Sequence, residues 1–147
     1  MTIAAKEVNQ ALDNREFIKS TTFIYVYWLF NLYDVYIENS KAIIFKGTLE
    51  EKLSVLNTFY TALEGGLTMI HLYMPFVTEE LWQRLSRRPE DKTPSIVKAK
   101  YPVYDPKMDD PASEGAYQLV LDIFKGIRSL IADYSILKDA NGKFRLV

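Results

Sequence analysis

Few residues in this chain have the type and spacing that enzymatic chemistry requires. His71 is the only histidine and the chain has no cysteine, which excludes a thiol nucleophile and a histidine-rich metal site. The place of His71 beside a proline corner favours a structural, hydrogen-bonded role over general-base catalysis. If the chain carried an enzymatic pocket, only His71, Asp34 or Lys46 could supply its base or nucleophile, and all three are weak candidates. We therefore predict no catalytic residue, no metal and no cofactor.

The remaining motifs of catalysis are also missing from the sequence. There is no glycine-rich phosphate loop, no nucleophile elbow and no metal-ligand spacing. Glu79 and Glu80 are adjacent, so on a helix they point to different sides. They are better interpreted as first-turn partners of the helix dipole than as a catalytic carboxylate pair.

Basic residues concentrate in one stretch of the second half of the chain. This stretch can follow a phosphate backbone, with Trp82 or Tyr101 near enough to stack on a base. The alternative is a solvated, charged loop. Because the formal net charge is −1, nucleic-acid binding would depend on such a local patch. The six candidate cations are Arg84, Arg87, Arg88, Lys92, Lys98 and Lys100.

The elements that must position these residues are helices. Apolar spacing predicts a first helix from the start of the chain, a polar break at 13–16, and a second helix from about residue 20 to 41. Thr48 and Glu51 form a capping box. A long helix follows, and its apolar seam has alternating steps of four and three. The seam comprises Leu49, Leu53, Leu56, Tyr60, Leu63, Leu67, Ile70 and Met74.

A proline corner ends that long helix. Pro75 stops or kinks it, and Thr78 is predicted to cap a short fourth helix. A short irregular or extended excursion is expected near 95–101. Asp110 and Pro111 then begin the last long helix, followed by a turn at 139–142 and the start of a strand at 143–147. The prediction is an all-α fold, a bundle of four to five helices forming one domain over 1–147.

The second predicted helix carries an unusual number of aromatic residues. From Phe23 to Ile37 it is apolar nearly all round, which is typical of a helix buried between neighbours. If it is exposed instead, a stripe at three- and four-residue steps would be an interaction face for a protein partner or a small ligand. That face would comprise Phe23, Val26, Tyr27, Phe30 and Tyr33, extended by Phe45 and Leu53.

Targeting signals are not evident in the sequence. The first residues lack the apolar core of a signal peptide, and the longest apolar run, Phe23 to Tyr33, is too short to span a bilayer. With no cysteine, the chain fits a reducing compartment, and we expect it in the cytoplasm without membrane contact. Its abrupt helical start suggests a piece of a longer protein.

A family resemblance follows from the corner. The stretch Met74–Gln83, MPFVTEELWQ, resembles the signature of the anticodon-binding helical domain in class I aminoacyl-tRNA synthetases of the valine, isoleucine and leucine group. Residues 34–41 and 6–12 are similar to the second and first helices of that domain. Four segments resemble the valyl-tRNA synthetases in particular, namely 83–88, 95–97, 101–102 and 127–130.

This resemblance implies an anticodon-binding type of helical bundle that contacts the anticodon arm of a tRNA. The catalytic, editing and coiled-coil domains of that family are not in these 147 residues, so the chain would not activate valine or charge tRNA. Leu72 and Tyr73 depart from the pattern at the corner, and Tyr33 stands where the family has cysteine. These departures motivate a second hypothesis, an engineered scaffold that binds a partner through the aromatic stripe.

Overall fold

A computed structural model describes residues 1–89, 91–133, 137–138 and 144–145. The chain divides into two compact units, Met1–Pro106 and Lys107–Val147. The prediction of a single domain over 1–147 stays a prediction. If the unbroken helical stretch from Phe17 to Lys46 is counted as one, the described residues hold five helices longer than a single turn. The predicted all-α fold is confirmed.

The first unit begins with helix α1 (Thr2–Asp13) and helix α2 (Phe17–Val26). The polar break predicted at 13–16 joins them, with Arg15 in the left-handed region at φ 60°. Helix α2 begins earlier than predicted, with Glu16 at the N-cap, and the Ser20 and Thr21 hydroxyls donate to the Phe17 carbonyl. These side chains therefore bond within the first turns of the helix and do not cap it.

A π-helical segment, Tyr27–Ile37, continues α2 without interruption and leads into α3 (Glu38–Lys46). Hydrogen bonds in a π-helix run from residue i to i+5, and most known cases are single turns. The buried residues follow this wider period, since Tyr27 and Leu32 are five apart and each 2% exposed. Because nearly every position of this stretch is apolar, the sequence pattern does not indicate which residues face the core. The π-helical segment could therefore not be predicted from it.

Helix α4 (Leu49–His71) begins with the predicted capping box. The Thr48 backbone N–H donates to Glu51 Oε2 at 2.7 Å, and the Glu51 N–H donates to Thr48 Oγ1 at 3.3 Å. The predicted seam is buried or half-buried only from Tyr60 to Ile70, and its last member, Met74, is exposed. Leu67 is buried, whereas Leu49, Leu53 and Leu56 are exposed, so the prediction of a packed seam is wrong for the first half of the helix.

The proline corner forms as predicted, but its details differ. Helix α5 (Pro75–Arg84) has Pro75 in its first turn and Met74 at the N-cap. Thr78 lies inside the helix, so the predicted Thr78 cap is wrong. Its hydroxyl donates to the Met74 carbonyl at 2.8 Å and pairs with His71 Nδ1 at 2.6 Å. His71 thus has the hydrogen-bonded environment expected of a structural histidine.

The prediction that Glu79 and Glu80 are first-turn partners of the helix dipole is also wrong, because the first turn of α5 holds no acidic residue. Glu79 instead binds the segment that follows the helix. Its Oε2 accepts hydrogen bonds from Ser95 Oγ at 2.8 Å and from the Ile96 N–H at 3.1 Å. These bonds hold the irregular excursion predicted near 95–101, which contains a 3₁₀ turn at Ile96–Lys98. They also lower the pKa of the Glu79 carboxyl, after the larger effect of the Gln83 side chain.

Two clusters of buried side chains form the core of the first unit. One joins α1, α2, the π-helical segment and α4, and the other joins α4, α5 and the 3₁₀ turn. Gly66 permits a close approach between α4 and the π-helical segment. A Cβ atom added there would lie 2.9 Å from Trp28 Cζ2 and 3.0 Å from Tyr27 Cε1. The clusters comprise Ala4, Ala5, Val8, Ile24, Tyr27 and Met69, and Leu67, Trp82 and Ile96.

The second unit contains helix α6 (Pro111–Asp133). As predicted, Asp110 precedes it, and its Oδ1 accepts from the Ser113 N–H at 3.2 Å. Two-residue strands β1 (Leu137–Lys138) and β2 (Phe144–Arg145) pair antiparallel, with Leu137 opposite Arg145. The predicted turn at 139–142 and residues 143, 146 and 147 of the predicted strand lie outside the described residues.

Candidate nucleic-acid interface

The six predicted cations lie at the end of α5 and in the segment that follows it. The structure divides them into two groups by their partners. The three arginines contact other side chains of the first unit. Lys92, Lys98 and Lys100 are exposed, and none forms an ion pair with another described residue. A phosphate backbone could therefore meet these three ammonium groups without displacing an ion-pair partner among the described residues.

Arg88 connects this segment to α4. Its Nη2 atom donates to Asn57 Oδ1 at 2.8 Å and to Thr61 Oγ1 at 2.6 Å. The guanidinium carbon lies 4.7 Å from the centroid of the Tyr60 ring, within the range of a cation–π interaction. The side chain is half-buried. These contacts give Arg88 a fixed position against α4.

Arg87 and Arg84 have different surroundings. Arg87 is half-buried, with its guanidinium carbon 4.9 Å from the centroid of a Trp82 ring. Its Nη2 atom is buried and has no hydrogen-bond partner among the described residues. Arg84 is exposed, and both its Nε, at 2.8 Å, and its Nη2, at 2.5 Å, donate to Glu80 Oε1. An exposed pair of this kind contributes little to stability.

Two carboxylates, those of Glu64 and Asp91, interact with the positive charge of Arg88. Burial raises the pKa of Glu64, while the nearby Arg88 and Arg87 charges oppose that shift. The pKa of Asp91 is lowered, first by the hydrogen bonds from Thr93, whose N–H lies 2.9 Å from Asp91 Oδ1. The Arg88 cation therefore faces negative charge within the protein.

The predicted aromatic face contains one residue that does not belong to it. Tyr27 is buried, and its hydroxyl donates to the Ala62 carbonyl at 2.7 Å, because the π-helical hydrogen bonding turns this side chain towards α4. Phe23 is half-buried against the same core. The remaining predicted members are exposed, namely Val26, Phe30, Tyr33, Phe45 and Leu53.

Two aromatic residues near this face were missed by the sequence reasoning. Tyr25 is 59% exposed and meets Phe30 edge-on, with ring centroids 6.1 Å apart. Trp28 contacts Tyr33 at 5.8 Å between ring centroids. In the sequence, both belong to a continuous apolar run. Apolar spacing in such a run does not indicate which side of a π-helix each residue occupies.

Trp28 and Tyr33 also line an apolar groove in the first unit. The groove has a volume of about 490 Å³ and lies between the π-helical segment, α4 and α5. Arg84 and Thr78 are its polar lining residues. Its other lining residues are Leu63, Leu67, Ile70, Met74, Val77, Leu81 and Leu85.

The burial of Tyr27 predicts an alkaline pH dependence of stability. Burial raises the pKa of the Tyr27 hydroxyl above its ordinary value, so the neutral form is favoured in the folded state. The contribution of the neutral Tyr27 hydroxyl to the free energy of unfolding is complete below about pH 10. It is lost as the pH rises further, by about 1.4 kcal/mol per pH unit. Urea unfolding at a series of alkaline pH values should show a flatter dependence for Tyr27→Phe. An equal dependence in both proteins would contradict the assignment.

Within the described part of the chain, no group of three or more histidine, cysteine, aspartate or glutamate side chains could hold a metal ion. His71 pairs with Thr78, while Asp34 and Lys46 are exposed. None of the described helices is both long and apolar enough to cross a bilayer.

The first unit is thus a helical bundle with a proline corner and with exposed lysines in the segment beyond it. The chain belongs to the family described as the anticodon-binding domain of tRNA ligase, whose family model matches residues 2–146. It is 51% identical over 143 residues to the mitochondrial valine–tRNA ligase of Saccharomyces cerevisiae. This match covers 97% of the chain and 13% of that relative.

Other relatives carry the same name. The valine–tRNA ligase of Schizosaccharomyces pombe is 39% identical over 140 residues, covering 95% of the chain and 14% of that protein. The human valine–tRNA ligase is 37% identical over 139 residues, covering 94% and 11%. The resemblance to the valyl-tRNA synthetase domain is confirmed. Nothing in these comparisons supports an engineered origin.

Proposed function

We propose that this chain is the tRNA-contacting helical module of a valine–tRNA ligase, which binds the anticodon arm of a valine tRNA. The observation that carries the proposal is the family match over residues 2–146. The chain spans about an eighth of the length of the relatives it matches, so aminoacylation belongs to a larger protein and the module has no catalysis of its own. The cytoplasmic location stays a prediction, since one relative is named mitochondrial.

The exposed lysines support a particular binding surface. Lys98 is the last residue of the 3₁₀ turn, with Lys92 before the turn and Lys100 after it, and none of the three has an ion-pair partner among the described residues. A lysine without an ion pair can neutralise a phosphate and release its counterion, which is the main source of non-specific nucleic-acid affinity. Tyr101 in the same segment is half-buried against the α1 core, so we assign it to packing and not to base stacking.

Replacement of Lys92, Lys98 and Lys100 together by glutamine should weaken binding of a valine tRNA transcript. Loss of three phosphate contacts is expected to reduce the slope of log affinity against log salt by about two, and the affinity at moderate salt by roughly a hundred-fold. Fluorescence anisotropy over a salt series measures both quantities. The same transcript with its anticodon bases replaced tests whether the anticodon arm is recognised.

A matched variant with Lys19, Lys41 and Lys46 changed to glutamine carries the same loss of charge on α2 and α3. It should keep most of the affinity and the salt slope. Equal losses in both triple variants would indicate that net charge alone governs binding. If the unsubstituted chain does not bind tRNA at low salt, the proposed function is wrong.

A further inference from the structure

The loop at residues 85–89 and 91–94, which we name the clasp loop, is fastened to the bundle at two points. Gln83 Nε2 of α5 donates to the Pro94 carbonyl at 2.7 Å. Arg88 reaches α4 and donates to Asn57 Oδ1 and Thr61 Oγ1 through the same Nη2 atom. Asn57 and Thr61 lie one helical turn apart, so together they form a single acceptor site on one face of α4.

Arg88 also organises the clasp loop locally. Its backbone carbonyl accepts a hydrogen bond from the Asp91 N–H at 2.9 Å, and Asp91 Oδ1 accepts from the Thr93 N–H at 2.9 Å. Lys92 stands between these two hydrogen-bonded residues. The backbone that carries the Lys92 ammonium is therefore fixed by a chain of contacts that starts at α4.

The charge of Arg88 is already engaged within the protein. The guanidinium packs on the Tyr60 ring and faces the negative charges of Glu64 and Asp91. A planar guanidinium satisfies this combination of acceptors and ring face, which a lysine ammonium would not reproduce. A phosphate would have to compete with these contacts to bind Arg88, whereas Lys92 is exposed.

We infer that Arg88 is a positioning residue for tRNA binding, which holds the clasp loop on α4 so that Lys92 can meet a phosphate. This inference rests on the proposed function. It assigns Arg88 a role different from that of the cation cluster as a whole, because Arg88 acts through Lys92 and makes no phosphate contact itself.

The double substitution Asn57→Ala/Thr61→Val removes the two side-chain acceptors of Arg88 and leaves every charge in place. Only the long contact of 3.5 Å from Arg88 Nη2 to the backbone carbonyl of residue 57 is kept. With a valine tRNA transcript as the probe, we expect a loss of affinity of about three- to six-fold, close to the effect of losing one phosphate contact. Arg88→Gln should cause a similar loss. In combination with Lys92→Gln, neither substitution should weaken binding further, since both act through the same lysine.

A direct phosphate contact by Arg88 would give a different result. Arg88→Gln would then lower the salt slope by about 0.7 to 0.9 in a Lys92→Gln background, and Asn57→Ala/Thr61→Val would preserve or increase the affinity. Either observation would overturn the positioning role. Lys19→Gln, with the same change of charge on α2, is the control and should keep the affinity.

A purely structural role for Arg88 is also distinguishable. It would lower the denaturation midpoint of Arg88→Gln without changing the tRNA affinity at a temperature where the variant is folded, and that result would overturn the inference while the proposed function stands. If the unsubstituted chain fails to bind tRNA, both the proposed function and the positioning role are overturned. Amide hydrogen exchange at Asp91 and Thr93 should quicken in Asn57→Ala/Thr61→Val if the loop is held as described.

Discussion

Replacement of Trp82 by alanine is expected to lower the free energy of unfolding by about 3–5 kcal/mol, the usual cost of deleting a large buried aromatic side chain. Trp82 is 2% exposed and forms the second core cluster with Leu67 and Ile96. It therefore packs α5 against α4 and against the 3₁₀ turn. Urea unfolding followed by circular dichroism at the helical band measures the effect.

Trp82→Phe provides the control for this prediction. Phenylalanine fills much of the same volume, and it removes an indole N–H that is buried without a hydrogen-bond partner among the described residues. The loss should be less than half of that for Trp82→Ala, because the cavity is smaller and one unsatisfied donor disappears. A loss below about 1 kcal/mol for Trp82→Ala would contradict the position of Trp82 in the core. If the alanine variant does not fold, Trp82→Leu gives an intermediate measurement.

Replacement of Tyr27 by alanine should be similarly destabilising, by about 3–5 kcal/mol. The residue is 2% exposed, and its hydroxyl bonds to the Ala62 carbonyl. Phe30→Ala, three residues along the same π-helical segment, should cost less than about 1 kcal/mol because Phe30 is 48% exposed. The same unfolding measurement on both variants tests the phase of the segment directly.

Comparing Tyr27→Ala with Phe30→Ala decides whether residues 27–37 have π-helical or α-helical spacing. At α-helical spacing, Tyr27 and Phe30 lie on neighbouring positions of one face, and their substitution should have comparable effects. At π-helical spacing, Tyr27 shares a face with Leu32, which is also buried. Comparable losses for Tyr27→Ala and Phe30→Ala would show that the α-helical description is correct.

Local sequence chemistry was sufficient for the boundaries of several elements. The capping box at Thr48 and the Asp110 cap are each complete within a few residues, and both are present. The corner at Pro75 follows from the missing N–H of proline. The cap at Thr78 was predicted wrongly because Pro75 itself occupies the first turn, and Thr78 bonds back to Met74 in preference to capping.

The candidate interface was only partly predictable. Counting cations in a short window identified Arg84, Arg87, Arg88 and the three lysines as a group, because proximity in sequence is sufficient for that. Their different partners depend on contacts between residues far apart in the chain. Arg88 and Asn57 are 31 positions apart. Asn57 and Thr61 are two of many polar residues on α4, so the sequence does not reveal that these two bind Arg88.

The sequence by itself determined the helical class, the main caps and corner, and the family, because these depend on short stretches of residues in fixed order. Only the tertiary structure decided that Tyr27 belongs to the core, that the first half of the α4 seam is exposed, and that Arg88 is bound to α4 while Lys92 is accessible. The physical reason is that burial and hydrogen-bond partnership are properties of pairs of elements. A single element, however regular, contains only one side of each pair.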